Sequence, residues 1–410
     1  MLTFQLLVIE SSGSSTKIGV VLLAIEWGSK RGSMSTFIRR LAIELAKHPE
    51  VHVSVFLPRC DEEEKNEAQR GNVTLVQATE VHGYDECYCL CFPPDDLHID
   101  FVIGNGIELG QVGQWIQESR NCKWVQFMHT DPKEWGIFSG HPYPISNGQA
   151  SHQLSVKLVE KADLVVAVGA KLAESFRRYL RFCDVYVFTP GIFSEFSNVQ
   201  HGSEDRRTCQ ILAFGTNDAE GFTSTGVCIA ANAVACLNDA ELTFACANKK
   251  QSVQVNDILK RCFQPAIPQS NRRVHVITLP EDLEELKEMF SSFDLAIVPS
   301  EGGGHSIAAL EAFSSGLRVL VNAKSGFGED LQEVLFSERF LIQSEDKEEW
   351  AKAIQNAWAK ERKNRLSESR FLRDGYDVIH NWRKQCSDLV EKMKGKLNNR
   401  TFHRPGPSKP

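Results

Sequence analysis

Glu311 is a carboxylate inside an otherwise apolar stretch, IleAlaAlaLeuGluAlaPhe. Burying an unpaired carboxylate is costly, so it needs hydrogen-bond donors: a pair of ligand hydroxyls such as those of a ribose, or a backbone or arginine group of the protein. Just upstream runs ValProSerGluGlyGlyGlyHisSer, in which Glu301 and His305 flank three glycines. Glycines let a backbone approach a ligand closely. Two further turns carry candidates. TrpGlySerLysArgGlySerMet holds Gly28 and Gly32 before a helix that begins near Ser35. It is either a plain tight turn or a place where backbone amides meet a phosphate or sugar hydroxyl. PheMetHisThrAspPro sets His129 one residue past an apolar run, as a cleft-facing histidine or as a satisfied structural one.

Short runs rich in Val, Ile and Phe alternate with longer stretches of helical period, which predicts parallel sheets covered by helices on both faces. In the first half the strands are predicted at Val20 to Glu26, Val51 to Leu57, Val73 to Gln77, Phe101 to Gly104, Trp124 to Met128, Leu164 to Val168 and Tyr186 to Phe188. A polar segment, 194–208, breaks both periods and reads as a linker. The alternation then restarts, with strands at Ile211 to Phe214, Leu242 to Ala245, Val274 to Thr278, Leu295 to Val298 and Val319 to Asn322. The Glu311 stretch itself reads strand, Gly-rich turn, helix capped by Ser306 and stopped at Gly316, then strand. The reading is two doubly wound α/β domains, 18–193 and 209–370, with helix 375–395 completing the first and a basic tail, 398–410, left disordered. Ligands of such halves bind outside the carboxyl ends of the strands, so facing halves share one cleft.

A chain of 410 residues suits two such domains. Its net charge of -7 gives no general attraction to nucleic acid or anionic lipid, so neither is expected as a partner. No apolar run approaches the roughly 20 residues of a membrane span, and the opening residues make a poor signal peptide, so the cytosol is the expected compartment. The twelve cysteines are scattered and read as mostly reduced. Cys87, Cys89 and Cys91 alternate at the period of a strand rather than at zinc-knuckle spacing, and no metal is expected.

The stretch from Ile297 to Val321 resembles the nucleotide-sugar motif of family-four, glycogen-synthase-like GT-B glycosyltransferases. GluLysAlaAspLeuValValAlaVal from Glu160, PheThrProGlyIle from Phe188 and SerGlyPheGlyGluAsp from Ser325 fall where that family has recurring segments. The similarity spans most of residues 18 to 395 and looks closest to the family's divergent invertebrate branch. It implies retaining transfer from a nucleotide-diphosphate sugar to an acceptor still unknown, without a cofactor. It further implies that Glu311 holds the ribose, that His129 lies in the acceptor cleft near the donor sugar, and that Gly32 lies near the donor phosphates. Thr278 and Leu279 match the strand end that meets the base, and Gly304, His305, Ser306 and Ile307 belong to the donor turn.

The sequence departs from the family at several of these places. The first motif glutamate falls on Gly303, and Glu301 stands two residues early as its substitute. The basic residues that grip the diphosphate are replaced by Thr216 and Thr225, and no Lys or Arg occurs from Thr208 through Asn248. Losing two charged contacts of this kind should slow transfer roughly 10³-fold or more. Two function classes therefore stand side by side: a retaining glycosyltransferase, and a catalytically silent GT-B module that binds a sugar nucleotide or a protein partner.

Overall fold

The structure, a computed structural model, describes residues 17–28, 33–131, 144–180, 184–214, 224–262, 273–280, 282–301 and 305–398. Its first sheet is formed by β1 (Ile18–Leu23), β2 (Val51–Leu57), β3 (Val73–Gln77), β4 (Phe101–Asn105), β5 (Lys123–Met128), β6 (Leu164–Val168) and β7 (Val185–Phe188). They are all parallel, in the order β3-β2-β1-β4-β5-β6-β7. Between the strands run α1 (Ser33–Ala46), α2 (Glu62–Arg70), α3 (Glu86–Cys89), α4 (Glu108–Arg120), α5 (Pro144–Lys161) and α6 (Ala170–Tyr179). The central strands are buried along their whole length, which is why they read as unbroken apolar runs rather than alternating ones.

After a short 3-10 turn, Ser194–Phe196, the second sheet takes β8 (Cys209–Phe214), β9 (Ala240–Cys246), β10 (Val274–Thr278), β11 (Leu295–Val298), β12 (Arg318–Asn322) and β13 (Leu341–Ile342). These too are parallel, in the order β10-β9-β8-β11-β12-β13. Its helices are α7 (Ser224–Ala235), α8 (Lys249–Cys262), α9 (Leu283–Ser292), α10 (Ile307–Ser314), α11 (Gly326–Gln332), α12 (Lys347–Trp358) and α13 (Arg362–Ile379). The two doubly wound sheets are those expected from the alternation of elements, and together they make the GT-B architecture that the resemblance implies.

The last helix, α14 (Trp382–Asn398), returns to the first sheet and packs against α1. Its anchor is Trp382, among the rings of Phe37, Phe188 and Phe193, with the indole N–H donating to Gly191 O at 2.8 Å. Gly191 is needed there, because a Cβ would collide with His380 O and lie 2.8 Å from Trp382 N. Among the described residues no helix is long and apolar enough to cross a membrane.

Three details differ from the sequence reading. β1 stops at Leu23 rather than Glu26: Ala24 N makes the last bond to β2, at Phe56 O, and the chain then bends away. Cys87 and Cys89 lie in the short helix α3, not in a strand, because the Asp85 carboxylate accepts from Tyr88 N at 2.8 Å and turns the backbone. Burial pushes the Cys87 thiol up to about 11, so it is no ready metal ligand. Finally, Cys228 and Cys262 form a disulfide between α7 and α8, while nine other described cysteines are free.

Candidate functional site

In both sheets the strand order reverses direction at one place, between β1 and β4 and again between β8 and β11. In doubly wound sheets the connections leaving the two strands at such a place go to opposite faces, and ligands bind in the crevice outside their carboxyl ends. The turns singled out in the sequence leave these strands or their neighbours. Residues 24–32 follow β1, His129 follows β5, residues 215–223 follow β8, and the Gly-rich turn follows β11.

His129 is buried, edge-on to the Phe37 ring at 4.8 Å, with Nε2 3.1 Å from Asn105 Oδ1 at the end of β4. A carbonyl oxygen only accepts, so this contact requires the proton on Nε2. Burial first, and then nearby His305, push the ring down to about 3, so it is neutral at physiological pH. It can donate or accept a hydrogen bond but supplies no charge. The Asn105 Nδ2 group is buried without a partner.

Glu311 sits inside α10, 6% exposed, and accepts from the Thr36 hydroxyl of α1. Burial, then the charge of Glu195, pushes its carboxyl up to about 8, against a smaller opposing pull from Arg39. Within the protein the charged form is favoured by Arg39 first and by the Thr36 hydroxyl second. Thr36 and Phe37 are consecutive, so one turn of α1 touches Glu311 of the second domain and His129 of the first.

The residues before and after the Gly-rich turn face the seam between the domains. Glu301 pairs with Lys324 at 3.4 Å, and its carbonyl accepts from Lys171 of α6 at 2.9 Å. Lys171 also donates to Lys324 O at 2.8 Å, so one first-domain amine ties two loops of the second. His305 is fully buried, with Nε2 3.2 Å from Asp330 Oδ2 and 3.4 Å from the Tyr376 hydroxyl, which itself donates to Pro190 O at 3.0 Å. Gly169 closes this cluster at φ +90, where a Cβ would lie 3.3 Å from Asp330 Oδ2.

The remaining candidates are spread wider. Ser306 occupies the N-cap position of α10, but its hydroxyl caps nothing and is buried without a partner; Ile307, next to it, is buried. Thr278 is exposed at the end of β10, and the Leu279 amide is already used by Cys246 O at 2.8 Å. Gly32, Thr216, Gly303 and Gly304 lie outside the described residues; the Thr225 backbone is in the first turn of α7, and its side chain lies outside them. Arg318 points away from the cleft, holding Glu368 at 2.6 Å and Arg339 O at 2.9 Å over the Phe340 ring.

Sequence reasoning missed Asn105, Thr36, Lys171 and Asp330. Asn105 carried a signal, a lone amide closing the apolar run PheValIleGlyAsn. The others are partners only through tertiary contact. Among the described residues one trio has metal-like spacing, His48, Glu50 and Glu391, but it lies where α14 meets the turn between the end of α1 and the start of β2, at the amino ends of the strands, and Lys394 donates to both carboxylates.

No curated protein matches this chain. Solved structures match it closely in fold. Sucrose-phosphate synthase from Thermosynechococcus elongatus superposes with a TM-score of 0.70 at 16% identity, covering 93% of this chain and 100% of that one. Anabaena HepE in complex with UDP and glucose gives 0.63 at 13%, covering 92% and 100%. The UDP-forming α,α-trehalose-phosphate synthase from Burkholderia xenovorans, in complex with glucose-6-phosphate, gives 0.62 at 11%, covering 92% and 100%. The family described as "Family 4 Glycosyltransferase in conflict systems" matches residues 21–389. That match covers most of the chain, and together with the two parallel Rossmann-like sheets it establishes that the protein belongs to this glycosyltransferase family.

Proposed function

We propose that the chain transfers a sugar, with retention, from a nucleotide-diphosphate donor to an acceptor hydroxyl. The observation that supports this reading is that consecutive residues of α1, Thr36 and Phe37, meet Glu311 and His129, the two side chains to which the resemblance assigns the ribose and the acceptor cleft. Departure of the nucleoside diphosphate would leave the acceptor to attack from the same face. A neutral His129 supports this as a positioned hydrogen-bonding group rather than as a strong base. Leaving-group charge is the weak point, since Thr216 and Thr225 neutralise nothing and Arg318 is committed elsewhere. Lys171 and Lys324 meet Glu301, the residue before the Gly-rich turn, and are the cations this reading would call on.

A second reading, a catalytically silent module for a sugar nucleotide or protein partner, draws on Glu311. Its carboxyl already has Thr36 and holds a proton at neutral pH, so a ribose must displace the first and remove the second. The test is calorimetry of the purified chain against UDP, GDP and ADP and their common sugar conjugates, followed by turnover with the tightest. Micromolar binding lost in Glu311→Ala, with slow hydrolysis, supports transfer. Binding without any turnover supports the silent module, and no binding at millimolar ligand removes the donor site.

A further inference from the structure

Four of the nine exposed large hydrophobic side chains among the described residues, Leu335, Phe336, Phe371 and Val378, form one ridge on the second domain. Their exposures are 78%, 66%, 63% and 83%. The Phe336 and Phe371 rings lie 6.1 Å apart, and Val334 packs against α13 at Gly375, one turn before Val378. Phe371 and Val378 are two helical turns apart and share a face of α13. Beside them a groove of about 470 Å³ runs between the 3-10 turn Ser337–Arg339 and α13, lined by Phe336, Arg339, Phe340, Ser367, Phe371 and Leu372. Scattered apolar side chains on a surface need no explanation, but a contiguous ridge with a polar rim marks a surface that is covered in use.

The charges along α13 say by what. Toward its N-terminus the exposed face carries Lys363 and Arg370, with Arg339 and Glu338 side by side across the groove; toward its C-terminus it carries Asp374 and Asp377. Glu368 is held by Arg318, Lys360 and Arg339, and Asp374 by its neighbour Arg373 at the exposed surface. Lys363 and Arg370 in the basic half and Asp377 in the acidic half are thus left without an ion pair among the described residues, and Asp374 is free to exchange its partner. Phe371 stands where the sign changes. A face of this kind is complementary to itself when turned about a two-fold axis through Phe371, because antiparallel packing sets Lys363 and Arg370 against the partner's Asp377 and Asp374. We propose that the α13 ridge is the interface of a two-fold symmetric dimer of this chain, with Phe371 near the axis and the partner's Leu335 or Phe336 entering the groove.

Sedimentation of the full chain from about 1 to about 100 µM tests this. The wild type is expected to move from the 46.0 kDa of one chain toward twice that mass. Phe371→Glu should stay at one chain throughout, and at about 1 µM, where the wild type is also a single chain, the two thermal midpoints should agree, since the ring is exposed. Asp374→Lys with Asp377→Lys should weaken association about tenfold or more, and adding Lys363→Glu and Arg370→Glu to the same chain should restore it, as only a two-fold pairing allows. A wild type that remains at 46.0 kDa at the highest concentration, as a surface for a different protein would give, overturns the proposal. So does a dimer indifferent to Phe371→Glu, or charge reversals that do not rescue one another.

Discussion

Replacing Glu311 with Gln should stabilise the folded protein, and by more as the pH rises. The carboxyl titrates near its ordinary 4.5 in the unfolded chain and near about 8 in the folded one, chiefly because burial penalises its charge. Below 4.5 both states hold the proton and the group costs nothing. Above it the unfolded chain releases the proton while the folded chain keeps it, so stability falls with pH until about 8 is passed. At roughly 1.4 kcal/mol per unit, the penalty grows from about 1 kcal/mol at pH 5 to about 4 kcal/mol at pH 8. Gln keeps the shape and still accepts from Thr36, but it has no proton to lose. The assay is urea unfolding of both proteins, followed by tryptophan fluorescence at pH 5, 6, 7 and 8. The difference between the two cancels groups that titrate alike in both, including His129, whose depressed value acts in the opposite direction below about 6.5. A difference that stays flat from pH 5 to 8 would refute the assignment of a buried, proton-holding Glu311.

The same proton should appear in binding. Since a ribose is gripped by the ionised carboxylate, donor binding at pH 7 should release close to one proton, read from calorimetry in buffers of different ionisation enthalpy; zero release would mean that the ribose does not use Glu311. His129→Asn should lower turnover while leaving donor affinity within a few fold, and the wild-type pH–rate profile should show no limb near 6.5, because the ring stays neutral down to about 3. Gly169→Ala should cost about 1–3 kcal/mol in thermal or urea unfolding, since φ +90 suits glycine and the new methyl meets Asp330 across the seam. Trp382→Ala should cost about 3–5 kcal/mol, measured the same way, through the lost packing against Phe37 and Phe188 and the freed Gly191 carbonyl.

Local order and periodicity carried the strands, because a strand buried on both faces must be apolar throughout, as in the central strands, and the edge strands β3 and β10 were legible from their Val and Ile content though only partly buried. The stop of α10 at Gly316 was legible for a similar reason, as φ +86 favours glycine there. The α3 segment was not, because a period of two over five residues is weaker than one carboxylate cap at Asp85. The sequence also marked Glu311 as a buried charge in need of a donor, and His129 as a histidine at a strand end. It could not name Thr36, 275 positions before Glu311, since that contact exists only after the second domain closes on α1, nor that Asn105 meets His129, which depends on β4 and β5 lying side by side in the first sheet. Nor could it tell that Arg318 turns to Glu368 and away from the crevice, that His305 is spent on Asp330, or that Lys171 crosses from one domain to the other. Residue type fixes what a side chain is able to do; burial and the neighbours that folding delivers decide its charge and its partner, and both are properties of the assembled chain.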